Sequence, residues 1–473
     1  MFAISKRRNR ALRNGLPLPP GPRGLPFVGN VLDIDISTPW TTYEQWGKRY
    51  GGISYCTILG YEFIIINDEE IFHELMVKRS SIYSDRPYLL ANELFGLDFN
   101  TGLLPYGDKW RLHRKMFNVA FSKQTSKKYQ AVQMEKVHQF LVNLLSTPHD
   151  YPKHAATLSA AIIMAITYGY DVAPKDDPFV TNVAHLVELI TNILTAERAM
   201  LLNAIPLLAY IPSWLPGGRI KKRAAESRAL ARTVLDDPVK YLRDFKHQTL
   251  NISQAAGTPT TSIVGDLFEM EIGKEFASSK DELIKGVAAT VFLGELTQTS
   301  SALLIFLLAM VLNPEVQTEA QEEIDRVVGD ARLPEFRDRE NLPYVEAVLI
   351  ETLRWHPINP LLPLPHMTTT ADVFNGMHIP KGKAITRNEK RYPNPTAFNP
   401  RRHLTASGTL AEGTNYPLFG YGRRICPGRH IGDQSFWAAA VSILATLRIG
   451  KARNEACHEV DFTPEFIMAG LAS

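Results

Sequence analysis

Apolar residues recur at helical spacing along most of the chain from Tyr106 onward, and strand-like runs stand out only near residues 53–67 and 373–379. This pattern predicts a mainly α protein: one large helical domain with a few short strands. The longest helix it predicts covers residues 279–312. Ser279 and Glu282 have the spacing of a capping box, and Asn313-Pro314 ends the run, with Pro314 suited to the first position of the next helix. Such a rod is roughly 50 Å long. Its fully apolar part, residues 302–312, falls short of the ~18 residues a bilayer needs, so a core helix is expected. Further helices are predicted over residues 343–355 and 429–447, and a loop over residues 250–263. No repeat or linker divides the chain. A single domain is expected over residues 31–473, after a basic segment and proline-rich hinge in residues 1–30.

Composition changes this picture little. Of the 473 residues, 45% are hydrophobic and 21% charged, which suits a large globular core. A net charge of +3 argues against nucleic acid as the main partner. The three cysteines (Cys56, Cys426 and Cys457) are too few for a disulfide framework and fit a reducing compartment.

Chemistry concentrates in Phe419-Gly-Tyr-Gly422-Arg-Arg424-Ile-Cys426-Pro-Gly428. A cysteine closes a glycine-loosened loop just ahead of a predicted helix, where free N–H groups and the helix dipole favour a thiolate. A strongly electron-donating thiolate is what a heme iron needs to split dioxygen. Phe419, Gly422, Arg424, Cys426 and Gly428 fall on the signature FxxGxRxCxG, and through them the chain resembles the cytochrome P-450 family from about Leu16 onward.

The resemblance implies the P-450 fold, mainly α with a large helical domain and a small β-sheet region at one edge, and heme b held between the long helix near residues 294–299 and the loop of Cys426, its axial ligand. Arg424 is then expected to face a heme propionate. Trp110 and Arg114 match the family's WxxxR and, four residues apart, share a helix face from which both could reach a propionate, with Asp108 as the helix cap. His366 fits a position that contacts the second propionate. Glu351 and Arg354 match ExxR, and Arg402 would complete a buried triad that braces the cysteine loop.

Three departures stand out. The long helix should carry an acid and a threonine for proton delivery, in a pattern like Gly-Gly-Ala-Asp-Thr-Thr. Matching its flanks puts Thr297 on the acid and Gln298 on the threonine, with Glu295 a nearby acid that could substitute through water. Lys383 joins Gly382 directly to the stretch beginning at Ala384, so about one strand beside the substrate cavity is expected to be missing. An anchor span before the basic cluster and a complete C-terminal hairpin are likewise expected to be absent.

Function follows as an expectation: a heme-thiolate monooxygenase oxidising a small lipophilic secondary metabolite (terpenoid, polyketide or aromatic) with O2. Electrons would come from an NADPH-cytochrome P-450 reductase, attracted by a positive face of Lys109, Arg111, Lys115, Arg423 and Arg429. The apolar, proline-rich run from Met200 to Trp214, followed by Arg219, Lys221, Lys222 and Arg223, suits a membrane surface, expected to be the cytosolic face of the endoplasmic reticulum. The alternatives are a P-450-fold enzyme of rearrangement or peroxide chemistry, and an inactive heme-binding copy.

Overall fold

The computed structural model describes residues 13–35, 38–173, 176–193, 196–212, 214–215, 218–249, 262–358, 365–381, 383–386, 394, 396–412, 419–454, 456 and 458–463. The principal helices are α1 (Pro39–Tyr50), α2 (Asp108–Phe121), α3 (Gln130–Ser146), α4 (Tyr151–Tyr168), α5 (Pro178–Ile193) and α6 (Arg219–Thr249), followed by α7 (Ile263–Glu269), α8 (Lys280–Leu312), α9 (Pro314–Val327), α10 (Pro343–Trp355) and α11 (Arg429–Thr446). Strands are β1 (Ile53–Ile58), β2 (Tyr61–Ile66), β3 (His366–Met367), β4 (Asp372–Phe374), β5 (Met377–Ile379) and β6 (Lys383–Thr386).

A four-stranded sheet in the order β1-β2-β6-β3 forms one edge, and β4 and β5 make a separate hairpin. Strands β1 and β2 turn through Leu59 and Gly60, both with positive φ (49° and 81°), as a tight two-residue hairpin requires. Strand β6 pairs parallel to β2 and antiparallel to β3. The strand expected to be missing after Gly382 is therefore supplied by Lys383–Thr386 itself. Residues 17–30 run from the β4–β5 hairpin along the four-stranded sheet: His378 N–H of β5 donates to Pro17 O, Tyr55 N–H of β1 to Pro20 O, and Asn30 N–H to Thr57 O.

The helical core forms around α8, which packs most extensively on α4 and also meets α10 and α11. Apolar side chains on all sides of a helix require burial on all sides. Ile284, Val287, Phe292, Leu303 and Phe306 of α8 join Ile163 of α4 and Trp437 of α11 in one cluster. By length and apolarity α8 could cross a bilayer, but these contacts make it the central strut of the domain.

Two expected caps are not formed. Ser279 makes no capping bond, because residues 274–279 form a 3-10 turn running straight into α8, and its hydroxyl donates to Phe276 O instead. Gly107 precedes α2 as its cap, and Asp108 is already the first helical residue, paired with Arg111. In the expected 250–263 loop only the end is described: Ser262 caps α7 by accepting from Gly265 N–H. The C-terminal hairpin region, from residue 464 onward, lies outside the described residues.

Candidate functional site

A cavity of about 410 Å³ lies between α8 and the start of α11, and Cys426 is in its wall. Two backbone features set the cysteine loop. Gly422 has φ +59°, and a Cβ there would stand 2.1 Å from Met76 O, so only glycine lets the loop pass. Cys426 N–H then donates to Phe419 O (2.7 Å), closing the loop two residues before the Gly428 cap of α11. A Cβ on Gly428 would meet only the Cys426 sulfur, at 3.9 Å. Burial pushes the Cys426 thiol up to about 11, against the pull of Gly428 N–H, Arg114 and Arg429. Burial outweighs the helix start in setting this thiol, and a bound metal would take the proton off.

Positive charge gathers at one rim. Arg424 donates to the carbonyls of Ser84 (2.7 Å), Leu104 (2.9 Å) and Thr101 (3.4 Å), and its guanidinium stacks 4.4 Å above the buried Trp110 ring. Three of its five donor positions are engaged in this way, so the group is held in place with capacity left over. Arg114 donates to Ile425 O (2.8 Å), next to the cysteine. Arg86, which sequence reasoning missed, lines the same cavity and donates to Gly102 O (3.1 Å). Burial and the Arg424 charge pull Arg86 down to about 9, and burial with the Arg114 charge pulls Arg424 down to about 10, so both remain charged at neutral pH. His366 also lines this end. Its Nδ1–H donates to Tyr83 O (2.7 Å), and burial with Arg86 and Arg424 nearby keeps the ring neutral. A neutral ring bonded that way has no second proton for a carboxylate, so the arginines are the better-suited donors.

Behind the cavity the expected triad is present and larger than predicted. Glu351 is fully buried and accepts from Arg354 Nε (2.7 Å) and Nη2 (2.8 Å), from Arg402 Nε (3.1 Å) and from Asn399 N–H (2.7 Å). His403 Nε2 adds a fourth side-chain bond, at 2.8 Å. Arg354 and Arg402 both donate onward to Ala397 O, tying α10 to the segment that precedes the cysteine loop.

The polar face of α8 differs from expectation. Glu295, Gln298, Thr299 and Ala302 line the cavity, as the i, i+3, i+4, i+7 positions of one helical face must. Thr297 does not line it. At 100° per residue it is turned away from that face, and its carbonyl accepts from Ser300 Oγ (3.1 Å). The acid and alcohol that meet are Glu295 and Thr299, whose hydroxyl donates to Glu295 Oε1. Burial pushes Glu295 up to about 7.

The family model described as Cytochrome P450 matches residues 19–469. The chain is 34% identical to cytochrome P450 monooxygenase COX2 of Coprinopsis cinerea, over 98% of this chain and 90% of that protein. It is 35% identical to cytochrome P450 monooxygenase ple1 of Rhodocybe pseudopiperita, over 96% and 87%. Against claR, a cytochrome P450 monooxygenase of Ampulloclitocybe clavipes, identity is 36% over 95% and 83%. The family's cofactor is heme with a cysteine thiolate on iron. The site fits it: a sulfur facing open space, apolar walls that include Phe117, Phe121, Ile163 and Phe436, and a guanidinium cluster that two carboxylates would neutralise.

Proposed function

This chain belongs to the cytochrome P450 family, and from that premise we propose that it oxidises a small lipophilic secondary metabolite with O2, drawing electrons from an NADPH-dependent cytochrome P450 reductase. The observation that carries the reading is the meeting of Cys426 with Arg86, Arg114 and Arg424 in one cavity. Bound heme supplies the redox chemistry that transfers one oxygen atom of O2 to a substrate. Cys426 would hold its iron, and the three guanidiniums its carboxylates. The aromatic walls keep bulk water out. Thr299 Oγ1 and the Glu295 carboxyl, poised near neutrality, can hold and pass a proton inside the cavity, the task expected of Thr297 and Gln298.

The surface supports the remaining parts of the proposal. Lys109, Arg111, Lys115 and Arg423 are exposed on the side of the cysteine loop, a face suited to an acidic reductase. Leu207, Tyr210 and Trp214 are about three-quarters exposed, at 77%, 74% and 79%. Phe27 (96%) and Leu32 (78%) are exposed as well, and Val31, Ile34 and Met200 pack against one apolar cluster. With Arg219, Lys221, Lys222 and Arg223 exposed beside them, this surface suits a bilayer interface, consistent with the cytosolic face of the endoplasmic reticulum.

One reconstitution tests the assignment. Heme-loaded protein mixed with phospholipid vesicles and a reductase should sediment with the vesicles and take up oxygen only when NADPH is supplied. Protein left in the supernatant would contradict the membrane surface. Turnover driven by peroxide but never by reductase would contradict the electron source.

A further inference from the structure

Glu295 has one carboxylate oxygen that the acid–alcohol contact does not use. Thr299 Oγ1 donates to Oε1, which fixes the rotation of the group and leaves Oε2 for the space between α8 and α11. Across that space stands Gly432, one turn into α11, where an added Cβ would lie 3.8 Å from Oε2. The carboxylate thus reaches over the slot to the helix that follows Cys426. Glu295 and Cys426 both line the same cavity. Sulfur and carboxylate therefore enter one slot from opposite walls. In the register that sets Thr297 on the family's acid, Glu295 takes the place of the motif's second glycine, a position with no side chain.

A flat macrocycle cannot share the slot with a carboxylate lying across it, so the side chain must draw back toward α8 when heme enters. Drawn back toward α8, the carboxylate stays on the cavity wall across from the sulfur. We infer that Glu295 supplies a second axial ligand to the heme iron, opposite Cys426, in the resting protein. Carboxylate oxygen is an ordinary donor to iron, so the chain needs no further group to complete the coordination. The inference rests on Cys426 holding the heme. An internal ligand has to leave before an external one can bind, so the resting site is self-blocked, and its apparent affinity for external ligands falls with the fraction that is open.

The test uses the heme-loaded ferric protein with imidazole as probe. Glu295→Ala should shift the Soret maximum and the electron paramagnetic resonance g values relative to the unmodified chain. It should also bind imidazole about tenfold more tightly or better, as removal of an internal competitor requires. Glu295→Gln, which keeps the shape and loses the charge, should move in the same direction. Identical spectra and equal imidazole affinity in all three proteins would overturn the inference. Loss of heme from both variants would overturn it too, because a displaceable sixth ligand is not what anchors the group. A wrong assignment of Cys426 would show differently: the red-shifted Soret band of reduced, carbon monoxide-bound thiolate heme would be missing from every protein, the unmodified chain included.

Discussion

Glu351→Ala should leave the chain unable to retain heme and lower its stability by about 3–5 kcal/mol, the usual cost of stripping one partner from a buried charge network. Glu351 has no solvent exposure, and alanine there would leave Arg354, Arg402 and His403 without the carboxylate they share. The effect on heme is indirect: the network ties α10 to the segment leading into the cysteine loop, so its loss frees the loop. Burial raises the Glu351 carboxyl, but hydrogen bonds from His403, Arg354 and the Asn399 amide outweigh it and hold the group below its ordinary 4.5. Its folded value lies below its unfolded one. The stabilisation is therefore full above about 4.5 and fades as pH falls through the folded value. Heme content and the urea midpoint of the variant measure both effects. An unchanged midpoint with full heme would show that the network does not support the site.

The second large effect is expected from Gly422→Ala. Its φ of +59° costs an L residue ~1–2 kcal/mol before any contact is considered. The new methyl would stand 2.1 Å from Met76 O and 3.1 Å from Met76 C, and a backbone carbonyl has no rotamer by which to move aside. The loop must shift as a whole, and Cys426, four residues on, shifts with it. Heme content should fall to a small fraction of that of the unmodified chain, whereas Gly450→Ala, where a Cβ meets nothing within 4 Å, should leave it unchanged. Equal heme in the two variants would mean that the loop tolerates displacement.

These two sites show what could be read in the sequence. The helices over residues 343–355 and 429–447, and the long rod ending at Asn313-Pro314, emerged within a residue of their observed bounds, because apolar periodicity and proline stops are local signals. Glu351, Arg354 and Arg402 were found through spacing plus resemblance. His403 was missed, although it follows Arg402 directly, because nothing local says which way a histidine in a 3-10 turn will point. Arg86 was missed for a stronger reason. It lies in an irregular stretch before Pro87, and only the tertiary fold brings it beside His366 and Arg424. On α8 the motif alignment named Thr297 and Gln298, while helix geometry selected Glu295, Gln298 and Thr299. The i, i+4 spacing of Glu295 and Thr299 was visible in the sequence, and a helical wheel would have exposed it. The two caps failed because a preceding turn or an adjacent glycine took the position first.

The central claim is that Cys426 is the thiolate that holds the heme, and the reduced, carbon monoxide-bound absorption spectrum tests it most directly. The unmodified chain should show the red-shifted Soret band of thiolate-bound heme. Cys426→Ser should abolish that band, while Cys56→Ser, in the interior of β1, and Cys457→Ser should keep it. Persistence of the band in Cys426→Ser, or its loss in either of the other two variants alone, would contradict the assignment.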